Sequence, residues 1–142
     1  MSEWFGKEGI VLLGIMFLKS PNVDENGRPF LSREFDDLTT GDKVQDGFLS
    51  LILMGIALLR HKERYPHITD FYLQSDCGAH FACSTFVVGL HMLNSRVLNP
   101  LGINVREFGL SEPGWGKSAV DAHFSFIGKV LWCLHVAPQL LF

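Results

Sequence analysis

The sequence is poor in cysteine and in charge, and it has no long apolar run. Cys77, Cys83 and Cys133 are the three cysteines, an odd number with no CxxC spacing. That excludes a disulfide framework and a zinc site built from cysteine alone. Reduced, mostly buried thiols in an intracellular chain, nuclear or cytoplasmic, are expected instead. Charged residues make up 19% and the net charge is −3, whereas a free-standing DNA-binding domain is usually basic. This argues against strong nucleic-acid affinity in the isolated chain. It leaves room for a catalytic core, because metal-binding carboxylates make such cores locally acidic. The apolar runs Gly9–Leu18 and Phe48–Leu59 fall short of the about 20 residues that a membrane-spanning helix needs, so no membrane partner is expected. Glu3 and Glu8 stand where a signal peptide would carry basic residues.

What is present is core-forming material. Hydrophobic residues are 47% of 142, which suits one domain with a proper interior. Gly9–Lys19 is a continuous apolar run with Val and Ile and predicts a buried strand. Pro21–Pro29 is rich in turn residues and predicts a loop, and Phe30–Asp37 predicts a weaker strand. Asp42 is a good N-cap for a helix through about Arg64, with basic residues at its negative pole and Pro66 barring continuation. The centre of that helix, Phe48–Leu59, is apolar nearly all round, so burial on more than one side is expected.

His67–Ser75 predicts a strand ending at Asp76, and Gly78 marks a turn. A helix follows over Phe81–Leu98 with inward positions at Phe86, Leu90, Leu93 and Val97. Ile103–Leu110 predicts a strand. A last helix runs from about Lys117 to Val136, with a stripe at Val120, Phe124, Ile127, Leu131 and Leu134. The alternation of strands and helices gives an α/β class and favours parallel pairing with helices over the sheet. No domain boundary or internal repeat interrupts the chain.

Asp76 falls at the carboxyl end of a buried strand, where sites form in open α/β sheets; it is also a plausible cap for the following helix. Asp121 lies one turn after Lys117, either in a surface ion pair or at the edge of the core-facing stripe. Glu112 sits in the loop after the last strand, which leaves the same sheet edge as the Asp76 turn if the strands are parallel. Asp76, Glu112 and Asp121 then converge as hard oxygen ligands suited to Mg²⁺ or Mn²⁺, ions that activate water and neutralise charge on a phosphodiester. His80 and His123 each follow a candidate Asp in a His-Phe pair. They suit the orienting of a carboxylate or proton transfer, against the plainer role of locally bonded histidines. His61, His67, His91 and His135 lack that context and read as structural or surface groups. Ser111–Ser118 (SEPGWGKS) imitates a phosphate-binding P-loop at Gly116, Lys117 and Ser118. Ser111 replaces its first glycine, and Glu112 and Pro113 add a repelling charge and remove a backbone donor.

Two blocks, SDCGAHF (Ser75–Phe81) and GKSAVDAHFSFI (Gly116–Ile127), resemble patterns of a transposon-derived, RNase H-like transposase and integrase family of the DDE/DDD type. WFGKEGI (Trp4–Ile10) is similar to a segment of related transposase cores, and SEP (Ser111–Pro113) recurs in them too. The resemblance spans nearly the whole chain. It implies an RNase H-like mixed sheet with helices on both faces and a two-metal (Mg²⁺ or Mn²⁺) DNA cleavage and strand-transfer chemistry. Asp76 matches the family's second acidic position and Asp121 the third, with His80, Lys117 and His123 supporting. Glu112 competes for the third place, because 35 residues separate it from Asp76. The family's first Asp lies on a strand upstream of the WFGK-like block, and the block before GK reads GW here rather than a His-containing variant. The resemblance therefore implies an N-terminally truncated core, fragmentary or degenerate, whose DNA partner is engaged through the full-length protein and which dimerises or relies on another chain. The alternatives are a domesticated, non-catalytic interaction remnant of a transposase and a P-loop nucleotide binder.

Overall fold

A computed structural model describes residues 11–41, 44–111, 120, 122–127 and 129, with backbone alone at positions 11, 12, 20 and 21. Strand β1 (Val11–Val23) and strand β2 (Pro29–Thr40) form an antiparallel hairpin. β1 runs four residues further than its apolar stretch, past a register irregularity between Lys19 and Asn22, so the loop shrinks to Asp24–Arg28. There the Asp24 carboxylate accepts the amides of Asn26 (2.9 Å) and Arg28 (2.7 Å). Gly27 takes the left-handed conformation (φ 75°) that a β-carbon would strain.

Helix α1 (Gly47–Arg64) follows. Its N-cap is Asp46, whose Oδ1 accepts the Leu49 amide at 2.8 Å, not Asp42 as the sequence suggests. Both are good caps by type, and tertiary packing chooses. A β-carbon on Gly47 would collide with the Cys83 sulfur and come within 3.2 Å of the His80 carbonyl, so the first turn is seated where only glycine fits. At the other end Lys62 Nζ donates to the carbonyls of Pro66 (2.6 Å) and Ile68 (3.0 Å), tying the segment after the helix back to its last turn.

Strand β3 (Asp70–Ser75) and strand β4 (Asn104–Leu110) are parallel, joined by helix α2 (Ser84–Leu93), a π turn (Asn94–Leu98) and a 3₁₀ turn (Asn99–Leu101). The chain is thus mixed α/β. Parallel pairing holds for β3–β4, but β1–β2 is antiparallel. Among the described residues the four strands form two separate two-stranded sheets rather than one mixed sheet.

The α2 region departs from simple helical spacing. Phe86 and Leu90 are buried as expected, but the next deep position is Leu98, while Val97 is exposed. The π turn inserts one residue into the repeat and so turns Leu98 inward in place of Val97. It also presents Asn94 to the sheet. The Asn94 amide accepts from the Val105 N–H (2.9 Å) and donates to the Val105 carbonyl (3.0 Å), standing in for a neighbouring strand on β4.

The core gathers Leu13, Phe17 and Leu38 of the hairpin, Leu51, Met54, Ala57 and Leu58 of α1, Phe71 of β3, Phe86 and Leu90 of α2, and Leu98 and Ile103. Glycine permits the close approach of the two helices: a β-carbon on Gly89 would meet Leu51 at 2.5 Å, and one on Gly55 would meet Leu93 at 3.2 Å. Residues 120, 122–127 and 129 are helical. Val120, Phe124 and Ile127 of the expected stripe are half-buried, with Phe124 lying on Gly14 of β1. Leu131 and Leu134 lie outside the described residues.

His61 stands where the two sheets meet. It is 2% exposed, stacks on Phe17 of β1 with ring centroids 3.9 Å apart, and meets the Phe71 ring of β3 edge-on at 5.8 Å. Beside it the Glu34 carboxylate gathers Lys19 (2.6 Å), the Tyr65 hydroxyl (2.8 Å) and Arg64, and Arg64 also reaches Asp36 (3.0 Å). This cluster closes the end of α1 onto the hairpin.

Candidate functional site

Asp76 follows the last residue of β3 directly, at the carboxyl end of the parallel pair, and it is exposed. Its Oδ1 accepts the Gly78 amide at 3.2 Å, an Asx turn that fixes the carboxylate close to the backbone. The Gly78 carbonyl then accepts the amides of Phe81 and Ala82, each at 2.9 Å, which tightens the loop into α2. Asp76 therefore caps its own turn and not the helix, since α2 begins at Ser84.

His80 returns to the same place. A β-carbon on Gly78 would lie 3.1 Å from both the His80 Nδ1 and the Asp76 Oδ1. Imidazole and carboxylate thus flank one bare Cα, and glycine is what lets both approach. His80 also rests on Phe81, with centroids 4.2 Å apart.

The exit of β4 joins this edge. The Ser111 amide donates to the Ser75 carbonyl (2.8 Å), the Cys77 thiol donates to the Ser111 carbonyl (2.7 Å), and the Gln74 amide donates to the Ser111 hydroxyl (2.9 Å). The condition set by the sequence, that the loop after β4 leaves beside the Asp76 turn, is met as far as Ser111. Glu112, Lys117 and Asp121 lie outside the described residues, as does the SEPGWGKS loop beyond Ser111. Cys77 is exposed, against the expectation of mostly buried thiols, because its side chain is spent on this edge; Cys83 is half-buried.

His123 pairs elsewhere. Its Nε2 lies 2.8 Å from Asp37 Oδ2, and its ring stacks on Phe35 at 4.0 Å, both on β2. Asp37 is the partner that sequence reasoning missed. It is 86 positions away, in a strand whose run of charges reads as a solvated face. Of the remaining histidines, His61 is buried, as a structural residue would be, while His67 and His91 are exposed; His135 lies outside the described residues.

The described site is an exposed carboxylate, held by a backbone amide and neighboured by an imidazole. A hard oxygen ligand in that position suits a divalent cation. Among the described residues no group of three His, Cys, Asp or Glu side chains is near enough together to hold a metal ion. No helix among the described residues is long and apolar enough to cross a membrane. Compared with protein-family models, curated proteins and solved structures, the chain matches none.

Proposed function

We propose that the chain is the later part of an RNase H-like, transposase-type core that cleaves phosphodiesters and transfers strands with divalent metal, its DNA being engaged by the full-length protein. The observation that carries this reading is the parallel β3–β4 pair, which brings Asp76 and the exit of β4 to one edge, joined through Ser111. The order of elements supports it as well: an antiparallel hairpin, a helix, a parallel β-α-β unit, then further helix.

In this reading Asp76 is a metal ligand, with Asp121 or Glu112 as the second carboxylate. A bound Mg²⁺ or Mn²⁺ supplies Lewis-acid stabilisation of the phosphodiester and activation of water. The chain's own part is positioning. The Gly78 amide holds one Asp76 oxygen, and His80 stands by to hold or pass a proton.

The test is a Mn²⁺ titration of the folded chain followed by NMR. Paramagnetic broadening is expected at Asp76, Gly78 and His80, and Asp76→Asn should remove it. A folded chain whose signals ignore Mn²⁺ sinks the metal site and leaves the non-catalytic remnant as the better account.

A further inference from the structure

Gly109 interrupts the outer face of the β3–β4 pair. Phe71 and Leu73 of β3 and Val105 and Phe108 of β4 pack on the core. Tyr72 and Gln74 therefore point outward, beside their cross-strand partners Glu107 and Gly109. Glycine weakens a strand interior, and it marks places where a ligand comes close to the backbone. Nothing inside the described fold asks for it here. Its φ is not positive, and no atom beyond its chain neighbours lies within 4 Å of where its β-carbon would stand. The space over it is an open pocket of about 330 Å³ lined by Tyr72, Leu73, Gln74, Glu107 and Gly109. Ordinary ligand sites begin at roughly 300 Å³, so this one takes a single small group.

The walls of the pocket call for a planar cation. Tyr72 is 73% exposed, and the face of an aromatic ring attracts positive charge. Glu107 is exposed as well, and among the described residues its carboxylate has no ion-pair or hydrogen-bond partner. The neighbouring guanidinium does not serve it, because Arg106 is turned to Asp70 at 2.6 Å. The Gln74 amide nitrogen donates to the Ser111 hydroxyl (2.9 Å), which leaves its carbonyl oxygen as a further acceptor. We propose that this pocket receives an arginine side chain from a partner protein. The guanidinium lies flat on Tyr72, gives two N–H groups to the Glu107 carboxylate and turns a third to Gln74. A lysine ammonium is a point charge that neither stacks nor forks, and Glu107 repels an anionic ligand. A nucleobase stacks on Tyr72 equally well but brings no positive charge to Glu107. The site does not depend on the metal-site reading.

The experiment is an NMR titration of the full chain with three probes: N-acetyl-arginine amide, N-acetyl-lysine amide and guanosine. The arginine probe is expected to shift the amides of Tyr72, Gln74, Glu107 and Gly109 and to saturate in the millimolar range, with the lysine probe and guanosine weaker. Tyr72→Ala and Glu107→Gln should each weaken arginine binding about two- to fivefold, the worth of one exposed cation–π contact or ion pair. Gly109→Leu fills the pocket and should abolish the shifts. Glu107→Gln keeps the size of the side chain and decides the matter should Gly109→Leu fail to fold. Four outcomes overturn the proposal. They are no shift at these four residues, lysine binding as well as arginine, guanosine binding better than arginine, and a Glu107→Gln variant that binds arginine like wild type.

Discussion

His61 lies flat on Phe17 inside the core, with its Nδ1 buried and without a hydrogen-bond partner among the described residues. Burial holds the imidazole below its ordinary pKa of 6.5; nearby Glu34 and Asp36 pull it up, and Arg64 and Lys19 push it down. The folded chain thus prefers the neutral ring, while the unfolded chain takes up a proton once the pH drops below about 6.5. Stability is then highest above that value and falls as the pH falls through it. Glu34 adds a second loss at lower pH. The hydrogen bond from Lys19, then the Tyr65 hydroxyl and the Arg64 charge, hold it below its ordinary 4.5, so its contribution is present above about 4.5 and disappears as the carboxylate protonates in the fold. Urea unfolding across this range should show both losses. His61→Phe should flatten the upper one, whereas Glu34→Gln should flatten the lower one and deepen the upper, since it removes an upward pull on His61. A profile level between about pH 7 and pH 5 would contradict the buried neutral ring.

Asp46 and Asp42 make opposite predictions about where α1 begins. Asp46→Ala removes the acceptor of the Leu49 amide and should cost about 1 kcal/mol, whereas Asp46→Asn, which can still cap, should cost only a fraction of that. Asp42→Ala, which leaves the Asp46 cap in place, should cost less than Asp46→Ala. Chemical denaturation of the three variants checks the order. A larger loss from Asp42 than from Asp46 would move the start of the helix.

The strands and helices were largely legible because apolar runs and turn residues act locally. Phe30–Asp37 falls within a strand, His67–Ser75 is a strand from Asp70 on, and Asp76 follows that strand directly. What escaped was decided by contacts distant in sequence. The choice of Asp46 over Asp42 rests on the packing of Gly47 against the loop before α2. The pairing of His123 with Asp37 joins the two ends of the described chain. The inward turn of Leu98 in place of Val97 comes from a π turn that no 3.6-residue spacing anticipates.

Asn94 gives that π turn a measurable purpose. Its two hydrogen bonds to Val105 tie the end of α2 to β4. Asn94→Ala should cost about 1–3 kcal/mol, since it leaves a half-buried N–H and carbonyl without partners. Amide exchange at Val105 should speed up before that of Phe71 on the neighbouring strand. Unchanged exchange at Val105 would mean that water replaces the side chain and that the π turn is incidental to the sheet.

Gly78 separates the fold from the proposed site. A β-carbon there would stand 2.7 Å from His80 Cε1 and 3.1 Å from Asp76 Oδ1. The imidazole is the end of a side chain and can swing aside, so Gly78→Ala should lower stability only modestly, by about 1 kcal/mol or less at such a surface position. Its effect on the site should be larger, because the methyl group occupies the ground where His80 and Asp76 approach each other. The His80 ring resonances should move, and the Mn²⁺-induced broadening at Asp76 should weaken while the core resonances of Phe86 and Leu98 stay in place. Serine at the same position carries the same β-carbon and should behave like alanine. If both variants keep the full Mn²⁺ response, the metal is held without His80 and away from the Gly78 turn. In that case the carboxylates after Ser111, not this loop, set the geometry of the site.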